Sequence, residues 1–205
     1  GPVTVVGDSV LLGSALWSPT LPDQLQASGW GPIRFRATVG GQAGPIRGTT
    51  SAGSWIETWR QQGWDAPNVI VNLGANDSGI CRTDVACSRR RILDLVEVIG
   101  PGHRIWWPMI TRNPTSTAEA VAWNTALAQI AAERDDFFTW DWPMEMAVGG
   151  YASPDNTHLD AAGYRRRSLR MAAEFTGDLA RATRVGGDAE LPAPAASAST
   201  DVALA

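Results

Sequence analysis

Ser9 follows Gly7-Asp8 at the end of the β-branched run Val3-Thr4-Val5-Val6, and His158 stands three residues after Asp155. A serine hydroxyl is a weak nucleophile until a neighbouring base takes its proton. That base in turn needs an orienting group on its other nitrogen. The chain has only two histidines. His103 lies between Gly102 and Arg104 at the start of an expected strand, which puts it at the opposite edge from Ser9. His158 has a carboxylate close enough in sequence to reach Nδ1–H. The expected set is therefore Ser9 as nucleophile, His158 as base and Asp155 as its orienting group. Gly40 offers a backbone N–H that no side chain crowds, and Asn76 offers a side-chain amide. With the N–H of Ser9 they would make a three-donor oxyanion hole. Each feature also has a plainer reading: a helix cap at Ser9, turn glycines at Gly40-Gly41, a loop turn at Asn76-Asp77, caps at Asp155 and His158. Their joint placement favours chemistry.

That placement depends on the elements around them. Apolar runs read as parallel strands over residues 3–6, 33–39, 68–73, 104–110 and 137–140, with Pro108 marking an end or an unpaired position. Helical patterns follow each: Ser9 onward and about 23–27, up to about Gln62, around Ile92–Ile99, 117–134, and 160 to about 183. The alternation predicts an α/β fold, a three-layer α/β/α sandwich around a five-stranded parallel sheet. Every candidate group then falls after a strand, on the edge where open α/β sheets hold their sites. Residues 1–185 read as one domain. Residues 186–205, rich in Ala, Pro and Ser, read as a linker or disordered tail.

Composition narrows the function further. The net charge is −4 and all 17 basic residues are arginines, so a nucleic-acid partner is not expected. The runs Arg89-Arg90-Arg91 and Arg165-Arg166-Arg167 read as solvated helix faces rather than a binding patch. Cys81 and Cys87 lack the spacing of a zinc knuckle or a redox pair. They read as one local disulfide, with free thiols the alternative, and a disulfide implies an oxidising, extracellular or cell-envelope location. No metal-ligand cluster stands out, and no cofactor is expected. The first strand begins at residue 3 without a charged-then-apolar leader, so the chain reads as a mature protein or a domain of something longer. Of ten tryptophans, Trp17, Trp55, Trp106, Trp107, Trp140 and Trp142 could stack on sugars, although core packing is the favoured reading for most of them.

At these residues the chain resembles the SGNH (GDSL-type) hydrolases. Their four blocks correspond to Gly7-Asp8-Ser9, a glycine after the second strand, Gly74-x-Asn76-Asp77 and Asp155-x-x-His158. The resemblance covers residues 3 to about 183. It implies a flavodoxin-like fold and metal-free Ser–His–Asp catalysis on oxygen or sulfur esters. Gly-Asp-Ser-Val followed by Val39-Gly40-Gly41-Gln42 is most similar to bacterial domains that handle O-acetyl groups on extracellular carbohydrate, some of them joined to a membrane acyltransferase. Those domains commonly carry arginine where this chain has Gly41, which leaves Gly40 and Gly41 both open as the oxyanion donor. The expectation is a monomeric esterase or acyltransferase acting on short O-acyl esters of a small molecule or carbohydrate. A lipolytic esterase or thioesterase and a non-catalytic binding domain are the alternatives. The polar stretch Asp77-Ser-Gly-Ile-Cys-Arg after Asn76 suggests little apolar surface for a long acyl chain.

Overall fold

β1 (Val3–Gly7) forms the centre of the sheet, buried along its whole length. The computed structural model describes residues 1–44, 51–185 and 201–204. Further strands are β2 (Ile33–Ala37), β3 (Asn68–Asn72), β4 (Arg104–Trp106), β5 (Phe137–Phe138) and β6 (Asp201–Leu204). They lie in the order β5-β4-β3-β1-β2-β6, and every pairing is parallel. The helices are α1 (Ser9–Leu16), α2 (Leu21–Ala27), α3 (Ala52–Gln61), α4 (Ala75–Cys81), α5 (Val85–Ile99), α6 (Thr117–Glu133), α7 (Trp142–Gly149) and α8 (Ala161–Val185). Five strands match the expected sandwich. The sixth, at the edge beside β2, falls within the stretch that composition assigned to a tail. The rest of that assignment, residues 186–200, lies outside the described residues.

Helices cover both faces of the sheet: β1 and β3 are buried at every residue, while β2 alternates buried Ile33, Phe35 and Ala37 with half-buried Arg34 and Arg36. Val6, Val69, Val71 and Ile105 point to one side, where α3, α5 and α6 bring Trp55, Ile92, Leu95, Trp123 and Leu127. Val3, Val5, Ile70 and Trp106 point to the other, against Leu11, Leu25, Met171 and Phe175 of α1, α2 and α8. Among the described residues no helix is long and apolar enough to cross a membrane.

The strand order reverses at β1, whose neighbours β3 and β2 lead the chain to opposite sides. A crevice forms at such a point, beyond the carboxyl ends of the strands. Gly7 pairs in register with Asn72 and with Ala37, so the turns after β1, β2 and β3 open side by side.

Two helices differ from expectation. The segment after Gly74 is not a loop but α4, and Asn76 stands in its first turn. α7 arises where no helix was expected: Asp141 caps it by accepting from Met144 N at 3.0 Å, and Pro143 sits in its first turn. β4 stops at Trp106, two residues before Pro108, which has no N–H to continue a ladder.

Candidate active site

Asp8, rather than Ser9, is the N-cap of α1: its Oδ1 accepts the N–H of Val10 at 2.9 Å. Ser9 is thereby released from capping and begins the helix, with its N–H among the unpaired donors of the first turn. Asp8 is buried, and that burial pushes its carboxyl up to about 6, only partly offset by the Val10 N–H and the Arg167 charge. Arg167 of α8 is also buried. Its guanidinium lies over Trp142 at 4.8 Å and bonds Asn72 Oδ1 and Ser14 Oγ, and burial pulls its pKa down to about 10.

Ser9 Oγ lies 2.9 Å from His158 Nε2. On the far side of the ring, His158 Nδ1 lies 2.7 Å from Asp155 Oδ2. An ionised carboxylate can only accept, so Nδ1 carries the proton and Nε2 presents its lone pair to the serine. Asp155 also accepts the backbone N–H of His158 at 2.7 Å and of Thr157 at 2.9 Å. Partial burial alone would raise the Asp155 pKa, but these hydrogen bonds outweigh it and hold the carboxyl at about 2. Ser153 Oγ donates to His158 O at 2.7 Å, and Asn156 Nδ2 donates to Arg112 O at 2.7 Å, which ties this loop to the segment after β4. His103 stands apart at the opposite edge, against Asp65 at 3.1 Å.

The oxyanion candidates Gly40 and Asn76 lie in the turn after β2 and in the first turn of α4. Gly41 packs so closely on the nucleophile turn that an added methyl would come 2.8 Å from Gly7 O and 3.1 Å from Asp8 Cα. Its own N–H is committed to Thr38 O at 3.1 Å. Gly40 N–H meets no acceptor among the described residues, which distinguishes the two glycines. Asn76 Nδ2 donates to Gly41 O at 2.9 Å with one of its two protons.

Cys81 and Cys87 form a disulfide between the end of α4 and the start of α5. The arginine runs are not uniformly solvated. Arg91 pairs with the buried Asp77 at 2.8 Å, and Arg167 is in the core. Of the six candidate sugar-stacking tryptophans, five are buried, and the half-exposed Trp17 sits at the C-cap of α1, a helix length from Ser9. They pack as core. An apolar cleft of about 290 Å³, which the sequence did not suggest, opens beside the catalytic loop. Ile110, Val121, Pro143 and Met146 line it, with Arg112 and Asn156 at its polar edge.

Residues 5–166 match the model of the GDSL-like lipase/acylhydrolase family. No curated protein matches the chain in sequence. Solved structures share the fold at low identity. A member of the lipolytic G-D-S-L family from Veillonella parvula is 17% identical, with a TM-score of 0.65 over 84% of this chain and 96% of that one. A carbohydrate acetylesterase family member from Sinorhizobium meliloti is 17% identical, with a TM-score of 0.64 over 86% and 99%. The C-terminal catalytic domain of peptidoglycan O-acetyltransferase A from Streptococcus pneumoniae is 14% identical, with a TM-score of 0.59 over 90% and 93%.

Proposed function

Given that the chain belongs to the GDSL-like lipase/acylhydrolase family, we propose that residues 1–185 form a serine ester hydrolase domain acting on short O-acyl esters, with O-acetylated carbohydrate as the substrate class. The observation that carries this reading is the continuous relay from Ser9 Oγ through His158 to Asp155, at 2.9 and 2.7 Å. Ser9 Oγ attacks the ester carbonyl carbon while its proton passes to His158 Nε2. The resulting oxyanion faces the N–H of Ser9, the N–H of Gly40 and the side-chain amide of Asn76. Its collapse expels the alcohol, which takes the proton back from His158. Water then attacks the acyl-serine with His158 again as base, and the acid leaves. A sugar hydroxyl in place of water makes the same site a transferase. No metal or cofactor enters these steps.

The carbohydrate assignment draws on the acetylesterase and O-acetyltransferase among the similar folds. The disulfide supports an extracellular or cell-envelope location. A monomer working beside a membrane acyltransferase belongs to the same reading. One observation favours a second: the apolar cleft beside Asn156 has room for a longer acyl chain, as a lipolytic esterase or thioesterase would need. Release of acetate from O-acetylated polysaccharide by the wild type, absent in Ser9→Ala, tests the proposal. An intact wild type that releases none and hydrolyses no p-nitrophenyl ester would refute it.

A further inference from the structure

The loop that carries Gly40 is strapped to α4 and α5 through one buried carboxylate. Asp77 is fully buried, and its Oδ1 accepts Arg91 Nε at 2.8 Å. The same carboxylate takes the N–H of Ala43 on both oxygens, at 3.2 and 3.0 Å, and the N–H of Gly44 at 3.2 Å. Arg91 continues through Nη2 to Gln42 Oε1 at 3.1 Å. Its guanidinium lies so close to Gly44 that an added methyl there would come 2.3 Å from Cζ. Asn76, one residue before Asp77, holds Gly41 O. Loop residues 41–44 are thus each gripped from α4 or α5, while Gly41 rests on the backbone of Gly7 and Asp8.

A buried carboxylate is tolerated only where charge and hydrogen bonds replace its water. Without Arg91, the buried Asp77 charge would lose its guanidinium partner and draw in water, which weakens its hold on Ala43 and Gly44. We infer that Arg91 is a positioning residue: through Asp77 and Gln42 it fixes the glycine loop so that Gly40 N–H and the Asn76 amide converge on the developing oxyanion. The inference rests on the serine-hydrolase reading above. Donors aimed at charge that develops only in the transition state act on kcat more than on ground-state binding. A misplacement of about 1 Å costs on the order of 10²-fold.

The test is steady-state kinetics on p-nitrophenyl acetate, with inhibition by phenylboronic acid, whose serine adduct places a tetrahedral oxygen in the same hole. Arg91→Met is expected to lower kcat by about 10- to 100-fold with KM within about threefold, and to weaken boronate by a similar factor. Arg91→Lys keeps the charge but not both contacts and should fall between Met and wild type. Gln42→Leu leaves the buried pair intact and should lower kcat by roughly two- to fivefold. If Arg91→Met does not fold, Arg91→Lys and Gln42→Leu carry the test. Variants that lose thermal stability but keep wild-type kcat and boronate affinity would reduce Arg91 to a scaffold residue and overturn the inference alone. A wild type inert to both ester and boronate would overturn the functional reading and the inference with it.

Discussion

Ser9 and His158, 149 positions apart in the chain, meet at 2.9 Å because one opens the helix after the central strand and the other closes the loop before the last helix. Each stands beside its own short-range carboxylate: Asp8 caps the helix that Ser9 opens, through the Val10 N–H, and Asp155 bonds His158 Nδ1. The long-range contact is therefore the sum of two local motifs and one parallel sheet.

Replacement of Ser9 should remove the reaction without disturbing the fold. Ser9→Ala deletes one hydroxyl on a partly exposed position, and the cap of α1 rests on Asp8. Ester hydrolysis is expected to vanish while the circular dichroism and melting temperature stay at wild-type values. Covalent labelling by a fluorophosphonate should vanish too, and a label persisting on another residue would refute the assignment.

Asp155→Asn should leave Ser9 in place but remove the acceptor that selects the histidine tautomer. A fall in kcat of about 10²- to 10⁴-fold is expected. Asp155 is held at about 2, below the ordinary carboxylate value, so whatever stability the pair contributes is present above about pH 4 and is lost as pH falls toward 2. With both side chains about half exposed, that contribution is small. Asp155 stays ionised down to about pH 2, so the acid-side fall of the wild-type kcat/KM should be complete at a pH where this carboxylate is still charged. An acid limb set by a group titrating near pH 2 would contradict this.

Asp8 works in the opposite direction. Its folded pKa is raised from 3.8 to about 6, so stability is greatest below the unfolded value and is lost as pH rises through about 6. At about 1.4 kcal/mol per unit, the loss is on the order of 3 kcal/mol. Asp8→Asn, which can still cap α1, should flatten the stability profile between pH 4 and about 7. Urea midpoints across that range measure it, and an unchanged slope would show that Asp8 is not the group responsible.

Much of this site was legible because its local motifs carry their own signals: a glycine turn after a β-branched run, a carboxylate three residues before a histidine. The parts that were missed are those where tertiary partners override local preference. Asn, Asp, Ser and Gly make α4 a poor helix on propensity, yet Asp77, Asn76 and Cys81 anchor it to the glycine loop and α5. Arg91 and Arg167 were hidden inside arginine runs, although position alone betrays both. Arg91 lies three residues after buried Ser88 and four before Leu95; Arg167 lies three after Tyr164 and four before Met171. The Asp141-x-Pro143 start of α7 was a cap signal left unread.

The disulfide closes a short loop, so its entropic contribution sits at the low end of the usual range. Cys81→Ser/Cys87→Ser should lose about 2 kcal/mol in urea unfolding. Because α4 carries Asn76 and α5 carries Arg91, the pair also fixes the two helices that hold the glycine loop. Loss of stability in the double serine variant should therefore come with a lower kcat. Wild-type stability without the disulfide would contradict the first expectation.

Acyl size separates the two substrate readings, and the geometry constrains where each half of the ester can lie. The leaving oxygen must face His158 Nε2 to take its proton. The apolar cleft is bordered by Asn156 of the same loop, so an acetyl ester can place its alcohol there and leave only a methyl on the side of Gly40 and Asn76. If the cleft instead took the acyl chain, each buried methylene would add about 0.8 kcal/mol, roughly fourfold in kcat/KM. Octanoyl esters would then far outrun acetyl. The expected order is the reverse, with acetyl or butyryl best and a decline beyond. Met146→Trp, which fills the cleft, should raise KM for acetyl esters of bulky alcohols while sparing ethyl acetate. A kcat/KM maximum at eight carbons or longer, abolished by Met146→Trp, would establish the cleft as an acyl channel and the enzyme as lipolytic, with Ser9, Asp155 and His158 in the same roles.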